Sequence, residues 1–545
     1  MTTVNYRKSN SQINSLAREI VLIVIKRKTK NLRDLYKIQR EIAKKNNSQF
    51  IPNDVLIKQY RKILKEKGIE ENEKILSLFR LKATRSLSGI VVVSVLTKPY
   101  NCPGKCLYCP TESGTPKSYL KNEPAVARAL LCNYNPYTQV FARLKSLNDI
   151  GHSIDKINIR IIGGTWSYYD KKYQNWFIKQ LFKAVNDFGR TRKSDLNKSL
   201  EQLQKQNEKA KSRIVEISIE TRPDFINVNE IKRLRKYGVT KVELGIQSIY
   251  DDVLRFNRRG HLNDKNIQAT KILKDAGFKI SYQVMPNLPK SNFKRDLKMF
   301  EQVFENENHK PDYLKIYPLA IVKSAPIYKK YKKGSLKVYS KKDLIKLIKK
   351  IKTSVPYFVR IERIIRDIPA SDIVEGGAKI TNLRQIIATE MKKENKQCKC
   401  IRCRQITNNF KNDDFKLFID EYNASDGKEY FISYETKNRK KLASILRLRI
   451  PSQYFEKKKH FLNILNDAAI IREIHTYGLQ TEVSKNQKTS PQHKGYGKKM
   501  LKKAEQIVKE NGLKKIAVIS GVGARPYFRA LGYKLKDSYM VKNLF

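Results

Sequence analysis

Residues 98–112 read KPYNCPGKCLYCPTE and set Cys102, Cys106 and Cys109 at the spacing C-x3-C-x2-C. One short loop with that spacing offers three thiolates to three corners of an iron-sulfur cube and leaves the fourth iron open. A zinc knuckle would want a fourth Cys or His nearby, and none follows before Cys132. A disulfide framework fits poorly with seven cysteines and no secretory signal.

An iron without a protein ligand chelates S-adenosylmethionine (SAM) and passes it one electron, giving a 5'-deoxyadenosyl radical. The surroundings of the loop agree with that chemistry. It follows GIVVVSVLT, the first of six β-rich runs that continue with KINIRIIGGT, RIVEISIET, KVELGIQS, KISYQVMP and DYLKIYPL. Each run leads into a helical or charged stretch, which predicts parallel strands with crossover helices. The fold class is therefore α/β, with a partial (β/α) barrel over 86–395 whose site lies at the C-terminal strand ends. The polar stretch 190–213, RTRKSDLNKSLEQLQKQNEKAKSR, reads as a surface insertion or loose helix.

Outside the barrel, three further regions are marked. Residues 1–85 predict basic helices, from apolar spacing in INSLAREIVLIVIKR and DVLIKQYRKILKEKG. Lysine and arginine number 112 against 52 acids, a formal charge of +60, which points to a polyanion partner. The nearest apolar segment, EIVLIVIKRK, is too short for a bilayer, so nucleic acid is expected before membrane and the cytoplasm is the expected compartment. Cys398, Cys400 and Cys403 in QCKCIRCRQ form a second metal set in a linker at 396–406. Zinc is expected there, with a second iron-sulfur cluster or unligated thiols as alternatives and no fourth ligand apparent.

From 407 to 545 the pattern is α/β again. Strands are expected in EYFISYE, ASILRLRIP, AAIIREIHTYG and KKIAVISG, with QHKGYGKKMLKKAEQIVKENG opening a helix between the last two. In that turn Gln492, Gly495 and Gly497 form Q-x-x-G-x-G, and such glycines let backbone N–H groups approach a pyrophosphate at a helix N-terminus. With the strand before it and ARPYFRALGY after it, the region resembles the GNAT acetyltransferase fold. That resemblance implies acetyl-CoA lying along Glu473, Ile474, His475 and Thr476, with its diphosphate on Tyr496, Gly497 and Lys498. Where that fold commonly has a Tyr acid, four before Gly532, this chain has Phe528, and Tyr527, Tyr533 or water would take over.

The pairing of these two modules, with KPYNCPGKCLYCP, NPYTQ, GHSIDK, IIGGTW, SIETRPD, VELGIQSIYDDVL, RRGH, REIHTYG, QHKGYG and VISGVGAR, closely resembles the family of the Elongator catalytic subunit, from about residue 85 to the C-terminus. The resemblance implies a [4Fe-4S] cluster on Cys102, Cys106 and Cys109, SAM and acetyl-CoA as co-substrates, and carboxymethylation at C5 of the tRNA wobble uridine. On that resemblance, a deoxyadenosyl radical takes hydrogen from the acetyl methyl, the carbon radical adds to C5 of the ring, the adduct gives up one electron to the implied redox partner and the C5 proton, and thioester hydrolysis leaves the carboxymethyl group. Gly163, Gly164 and Thr165 would then face the SAM methionyl group, and Glu220 and Gln247 its ribose and adenine. Lys156 matches a position associated with acetyl-CoA, and Lys156 and Tyr527 are the candidate catalytic groups. Implied partners are the tRNA anticodon stem-loop, an electron donor, and further copies or accessory subunits. Other readings are a protein lysine acetyltransferase with a structural cluster, or a non-catalytic RNA-binding scaffold. The family's YHxMPGLPG segment is YQVMPNLPK here, with Gln283, Asn287 and Lys290, a change expected to reshape the SAM or RNA pocket. Arg360, Arg363 and Arg366 either meet phosphate or pair internally. Both centres are expected to open into one shared chamber.

Overall fold

A computed structural model describes residues 10–81, 89–190, 197–380, 382–407, 414–478 and 495–545. The first helices form because apolar residues recur three and four apart. Helix Asn10–Lys26 turns Ala17, Ile20, Val21 and Val24 inward, and helix Asn53–Lys67 answers with Leu56, Ile57, Tyr60 and Ile63. Together with helices Leu32–Lys45 and Glu73–Phe79 they close a core of their own. This helical unit is tied to the barrel by guanidinium donors. Arg61 Nη1 reaches the Asn148 carbonyl at 2.8 Å and Arg80 Nε that of Gly151 at 2.6 Å.

The barrel strands are β1 (Val91–Leu96), β2 (Lys156–Ile162), β3 (Arg213–Thr221), β4 (Lys241–Gln247), β5 (Lys279–Val284), β6 (Tyr313–Ile316), β7 (Ala320–Val322), β8 (Arg360–Arg363) and β9 (Ile373–Gly376). One parallel sheet runs β1-β2-β3-β4-β5-β6-β8, while β7 and β9 pair apart as an antiparallel ribbon. The sequence points to six barrel strands and the structure has seven. The additional strand, β8, is four residues long and carries Arg360, Glu362 and Arg363, so no apolar run marks it.

Alternate residues divide the sheet into two unlike faces. Ile157, Ile159, Ile161, Ile217, Ile219, Val242, Leu244, Ile280 and Leu314 pack outward under the helices. The opposite alternates are polar or charged, among them Asn158, Arg160, Glu216, Glu220, Lys241, Glu243, Lys279, Lys315 and Glu362. A barrel interior is ordinarily filled by Val, Ile and Leu; this one is filled by ion pairs. Arg160 meets Glu243 at 3.0 Å and Glu220 at 3.7 Å, Lys315 meets Glu220 at 3.8 Å and also Glu243, Lys241 meets Glu362 at 2.5 Å, and Lys279 meets Glu216.

The stretch expected as a loose insertion contains a packed helix, Leu200–Glu208, while 191–196 lie outside the described residues. Ser199 and Gln202 form a capping box, and Leu200, Leu203 and Asn207 are buried. Glu208 accepts Arg525 at 3.2 Å and Arg529 at 3.0 Å from the C-terminal domain.

That domain is a second sheet, β10 (Phe415–Ala424), β11 (Gly427–Thr436), β12 (Leu442–Ile450), β13 (Ala468–Thr476), β14 (Lys515–Val518), β15 (Lys534–Lys536) and β16 (Tyr539–Asn543), in the order β10-β11-β12-β13-β14-β16-β15. Strands β13 and β14 are parallel and pair only from Ala468 to Ile471, so the second half of β13 parts from its neighbour. A bulge opposite Arg447 and Leu448 turns Arg472 toward the barrel. There it meets Asp312 and Glu429, while Arg449 meets Asp275 at 2.6 Å and Arg447 meets Glu473 at 2.9 Å. Asp312 and Asp275 of the barrel are thus joined to Arg472 and Arg449 of the C-terminal domain by buried ion pairs, where loss of one partner leaves the other charge buried and uncompensated.

The altered MPNLPK loop has a physical signature. Asn287 (φ 68°) and Lys290 (φ 73°) both adopt the left-handed conformation that the family's glycines would take without cost. Asn287 is held by Asp296 and by the Tyr339 amide, while the Lys290 carbonyl accepts Arg295 Nη1 at 2.6 Å and its ammonium lies over the face of Phe256. Lys290→Gly is therefore expected to raise stability by ~1 kcal/mol, read as a higher denaturant midpoint with an unchanged slope.

Candidate active site

The cluster loop leaves the C-terminal end of β1. Two of its sulfurs flank Gly104: a Cβ there would lie 2.6 Å from Arg222 Nη1 and 3.5 and 3.6 Å from the sulfurs of Cys102 and Cys106. Arg222 is buried, clamped by Asp224 at 2.9 and 2.7 Å, and its Nη1 has no partner. Arg259 Nη1 donates to Cys106 Sγ at 3.6 Å. A hydrogen bond from the Cys109 thiol, helped by Arg259 and opposed by burial, pulls the Cys106 thiol down to about 4. Among the described residues only Cys398, Cys400 and Cys403 gather three ligand atoms within 4.8 Å. The loop thiolates are more widely spread, as separate corners of a cluster require, and the orphan guanidinium donor facing them suits an anionic inorganic group.

Beyond the loop lies a cavity of 350 Å³ lined by Gly164, Thr165, Glu220, Gln247, Arg160 and Tyr119. Gly163 follows β2 with φ 128°, and a Cβ there would meet Thr97 Oγ1 at 2.0 Å, so only glycine fits. Thr165 Oγ1 is 3.9 Å from Cys102 Sγ. Glu220 accepts Tyr119 Oη at 2.6 Å and Gln283 Nε2 at 3.2 Å. The structure therefore brings the sequence-predicted Gly164, Thr165, Glu220 and Gln247 to one cavity with the three cysteines. Arg363 and Arg366 line it too, but each is tied internally, Arg363 to Asp367 and Arg366 to Ser118 Oγ at 2.9 Å and Glu123 at 3.4 Å. Arg360 donates to Gln405 at 2.7 Å. Internal pairing is what these arginines do.

The second centre is at the other end of the barrel. Lys156 begins β2, and its charge, with those of Glu473, Arg360 and Lys279, acts on His475 of β13. Burial lowers Lys156 below the ordinary lysine range and pushes His475 down to about 4, leaving the imidazole neutral with Nε2 unpartnered and its ring 4.4 Å from that of Tyr477. Against its burial, Arg447, Lys279 and Tyr313 hold the Glu473 carboxyl near 2. Across the gap, helix Tyr496–Glu510 starts from Gly495 (φ 72°). A Cβ on Gly497 would lie 3.1 Å from Tyr527 Oη and 3.8 Å from Ile474 Cδ1, so Tyr527, Ile474 and the helix N-terminus converge there. Lys498 is exposed; Tyr496 is buried on Tyr434 at 4.4 Å. Gln492 lies outside the described residues. Phe528, expected on the cofactor side, is 3% exposed in the domain's apolar core and offers no polar atom.

No C-terminal-domain residue lines the 350 Å³ cavity, so an open chamber common to both centres is not found among the described residues. What joins them is the charged barrel interior. From Glu220 it runs through Lys315 to Glu243, whose charge acts on Lys241, and from Lys241, paired to Glu362, to Tyr313, whose hydroxyl donates to Glu473. A larger cleft of 840 Å³ behind helix Val228–Lys236 touches neither centre. Tyr119, Arg160, Arg259 and Lys315 escaped the sequence reading. For Arg160 and Lys315 the available signal was a polar residue alternating with apolar ones in KINIR and LKI.

A parallel half-barrel carrying this loop defines a radical SAM protein. The Radical SAM superfamily profile matches residues 97–303, and that of the Radical_SAM C-terminal domain 311–393. The chain is 42% identical over 491 residues to the tRNA uridine(34) acetyltransferase of Methanocaldococcus jannaschii, covering 87% of this chain and 88% of that one. It is 35% identical over 534 residues to human Elongator complex protein 3, covering 94% and 93%. The solved archaeal Methanocaldococcus infernus Elp3, with an N-terminal deletion, superposes with a TM-score of 0.72 at 38% identity, covering 84% of this chain and all of that one. The chain belongs to the Elongator complex protein 3 family, the tRNA uridine(34) acetyltransferases. Among the described residues no helix is long and apolar enough to cross a membrane.

Proposed function

We propose that this chain carboxymethylates C5 of the tRNA wobble uridine, taking the two-carbon unit from acetyl-CoA and the radical from SAM. The observation that carries this is one barrel with a three-thiolate loop at one end and a GNAT-type helix N-terminus, with Lys156 and β13 beside it, at the other.

In this reading Cys102, Cys106 and Cys109 hold a [4Fe-4S] cluster, which when bound supplies SAM with one electron. Gly163, Gly164 and Thr165 present backbone to the methionyl group, and Glu220 and Gln247 take the ribose and adenine. The backbone of Glu473, Ile474, His475 and Thr476 receives the pantetheine arm. Gly495, Tyr496, Gly497 and Lys498, with Gln492, receive the diphosphate, since the N–H groups of a helix's first turn have no partner within the helix. The Tyr527 hydroxyl donates a proton to the departing thiolate. Lys156, its ammonium disfavoured by burial, exchanges a proton at the thioester end. Cys398, Cys400 and Cys403 hold zinc; their sulfurs are close enough for one ion, and Lys352 Nζ, 3.5 Å from Cys403 Sγ, offsets thiolate charge.

The test is anaerobic incubation of reconstituted protein with tRNA, SAM and acetyl-CoA, followed by nucleoside mass spectrometry. Carboxymethyluridine is the expected product, with four irons and one zinc per chain. Lys156→Met is expected to lower it by roughly 100-fold or more while 5'-deoxyadenosine still forms. No modified uridine from any tRNA would overturn the reading.

A further inference from the structure

A run of aromatic rings crosses the barrel surface beside the cluster loop. Tyr168 meets Phe225 at 5.6 Å and Tyr100 at 5.9 Å; Tyr100 stacks on Tyr169 at 4.8 Å, Tyr169 on Tyr173 at 5.3 Å, and Tyr173 meets Trp176 at 5.6 Å. Inner members are anchored: Tyr169 Oη is 2.8 Å from Thr97 Oγ1 and donates to the Lys98 carbonyl at 2.7 Å, and Tyr173 Oη accepts the Lys98 amide at 3.0 Å. Outer members are open to solvent, Tyr100 at 41%, Tyr168 at 40% and Trp176 at 40%. Burial of apolar surface explains Tyr169; it leaves three large exposed rings in one line unexplained.

Cations accompany them. Lys98 Nζ lies 4.8 Å from the centre of the Tyr173 ring, and Lys171 and Lys172 open the helix that carries Tyr173 and Trp176. All three are exposed, and among the described residues none forms a salt bridge with an acid. The line passes beside the cluster loop: Tyr100 is two residues before Cys102 and Tyr168 three after Thr165, both of which line the cavity, while neither ring lines it. Exposed rings interleaved with unpaired lysines are how proteins hold unpaired nucleotides, bases on the rings and phosphates on the ammonium groups.

We propose that Tyr100, Tyr168 and Trp176 form a stacking platform for the unpaired RNA nucleotides that flank the target base, holding the strand across the barrel mouth. This rests on the tRNA reading above and names its RNA-contacting surface. The charge of the patch favours RNA over a second copy of this equally basic chain.

The chain has two tryptophans, and Trp166 is 2% exposed, so Trp176 emission reports the platform. Decauridylate titrated into the full-length protein should quench that emission, and Trp176→Phe should abolish the signal. Heparin, which has charge but no bases, should bind without quenching. Tyr100→Leu and Tyr168→Leu should each weaken decauridylate binding by about tenfold, an ordinary size for one base–aromatic stack, with thermal melting unchanged. Tyr100→Phe, which keeps the ring, should stay within twofold of the parent. Saturating decauridylate that leaves Trp176 emission unchanged, a Leu variant that binds as the parent does, or quenching that follows protein concentration without RNA would overturn the platform. Loss of carboxymethyluridine formation alone would strike the catalytic reading and leave these outcomes untouched.

Discussion

Cys106→Ser is expected to eliminate SAM cleavage and uridine modification while leaving coenzyme A binding within twofold of the parent. Cys106 is 3% exposed, with Arg259 on its sulfur and Cys109 donating to it, and serine in that position offers no thiolate to a buried cluster corner. The iron content and the paramagnetic signal of the reduced protein should fall with the activity. Unchanged coenzyme A affinity follows from the separation of the centres, since the helix that begins at Tyr496 shares no cavity with the thiolates. A variant that still forms 5'-deoxyadenosine would exclude the loop as the cluster site.

The second large effect is on stability. Asp312 is fully buried and faces Arg472 and Arg447 across the domain boundary, and its Oδ2 accepts the Ile280 amide at 2.9 Å. Asp312→Asn leaves those guanidinium groups without their shared counter-charge, which costs ~3–5 kcal/mol, a fall in melting temperature of roughly 5–10 °C. Its pH dependence has a definite sign. Against burial, Arg472, Lys274 and Arg447 hold the Asp312 carboxyl at about 2, below the unfolded value of about 3.9. The group's contribution is therefore fully present above pH ~4 and is lost as pH falls through about 2, amounting to roughly 2–3 kcal/mol. The acid-unfolding midpoint of Asp312→Asn should respond less steeply in that window than the parent's.

Much of this was legible before the structure. The strand before each loop, the cysteine spacing and the glycine turn are local signals, and local geometry fixes what they do. The strand β8 was not legible, because RIER has no apolar face of its own and gains strand geometry only from pairing with β6. The same holds for the arginines of that region, whose partners Ser118, Glu123 and Gln405 come from distant parts of the chain. Phe528 marks a third limit: its position relative to Gly532 suggested a cofactor contact, and only packing shows it turned into the core. Nor does spacing reveal which of two centres opens where. Lys156 and Glu220 belong to neighbouring strands, yet one sits at the start of β2 and the other near the end of β3.

The ion-filled barrel has a consequence for how the two ends sense each other. An oily core would insulate them, each settling its protons and charges alone. Here burial, with Arg160 beside it, lowers the Lys315 ammonium to about 8 against the pull of Glu243 and Glu220. Charge brought to either mouth therefore meets a column of paired ions and not a hydrocarbon filling.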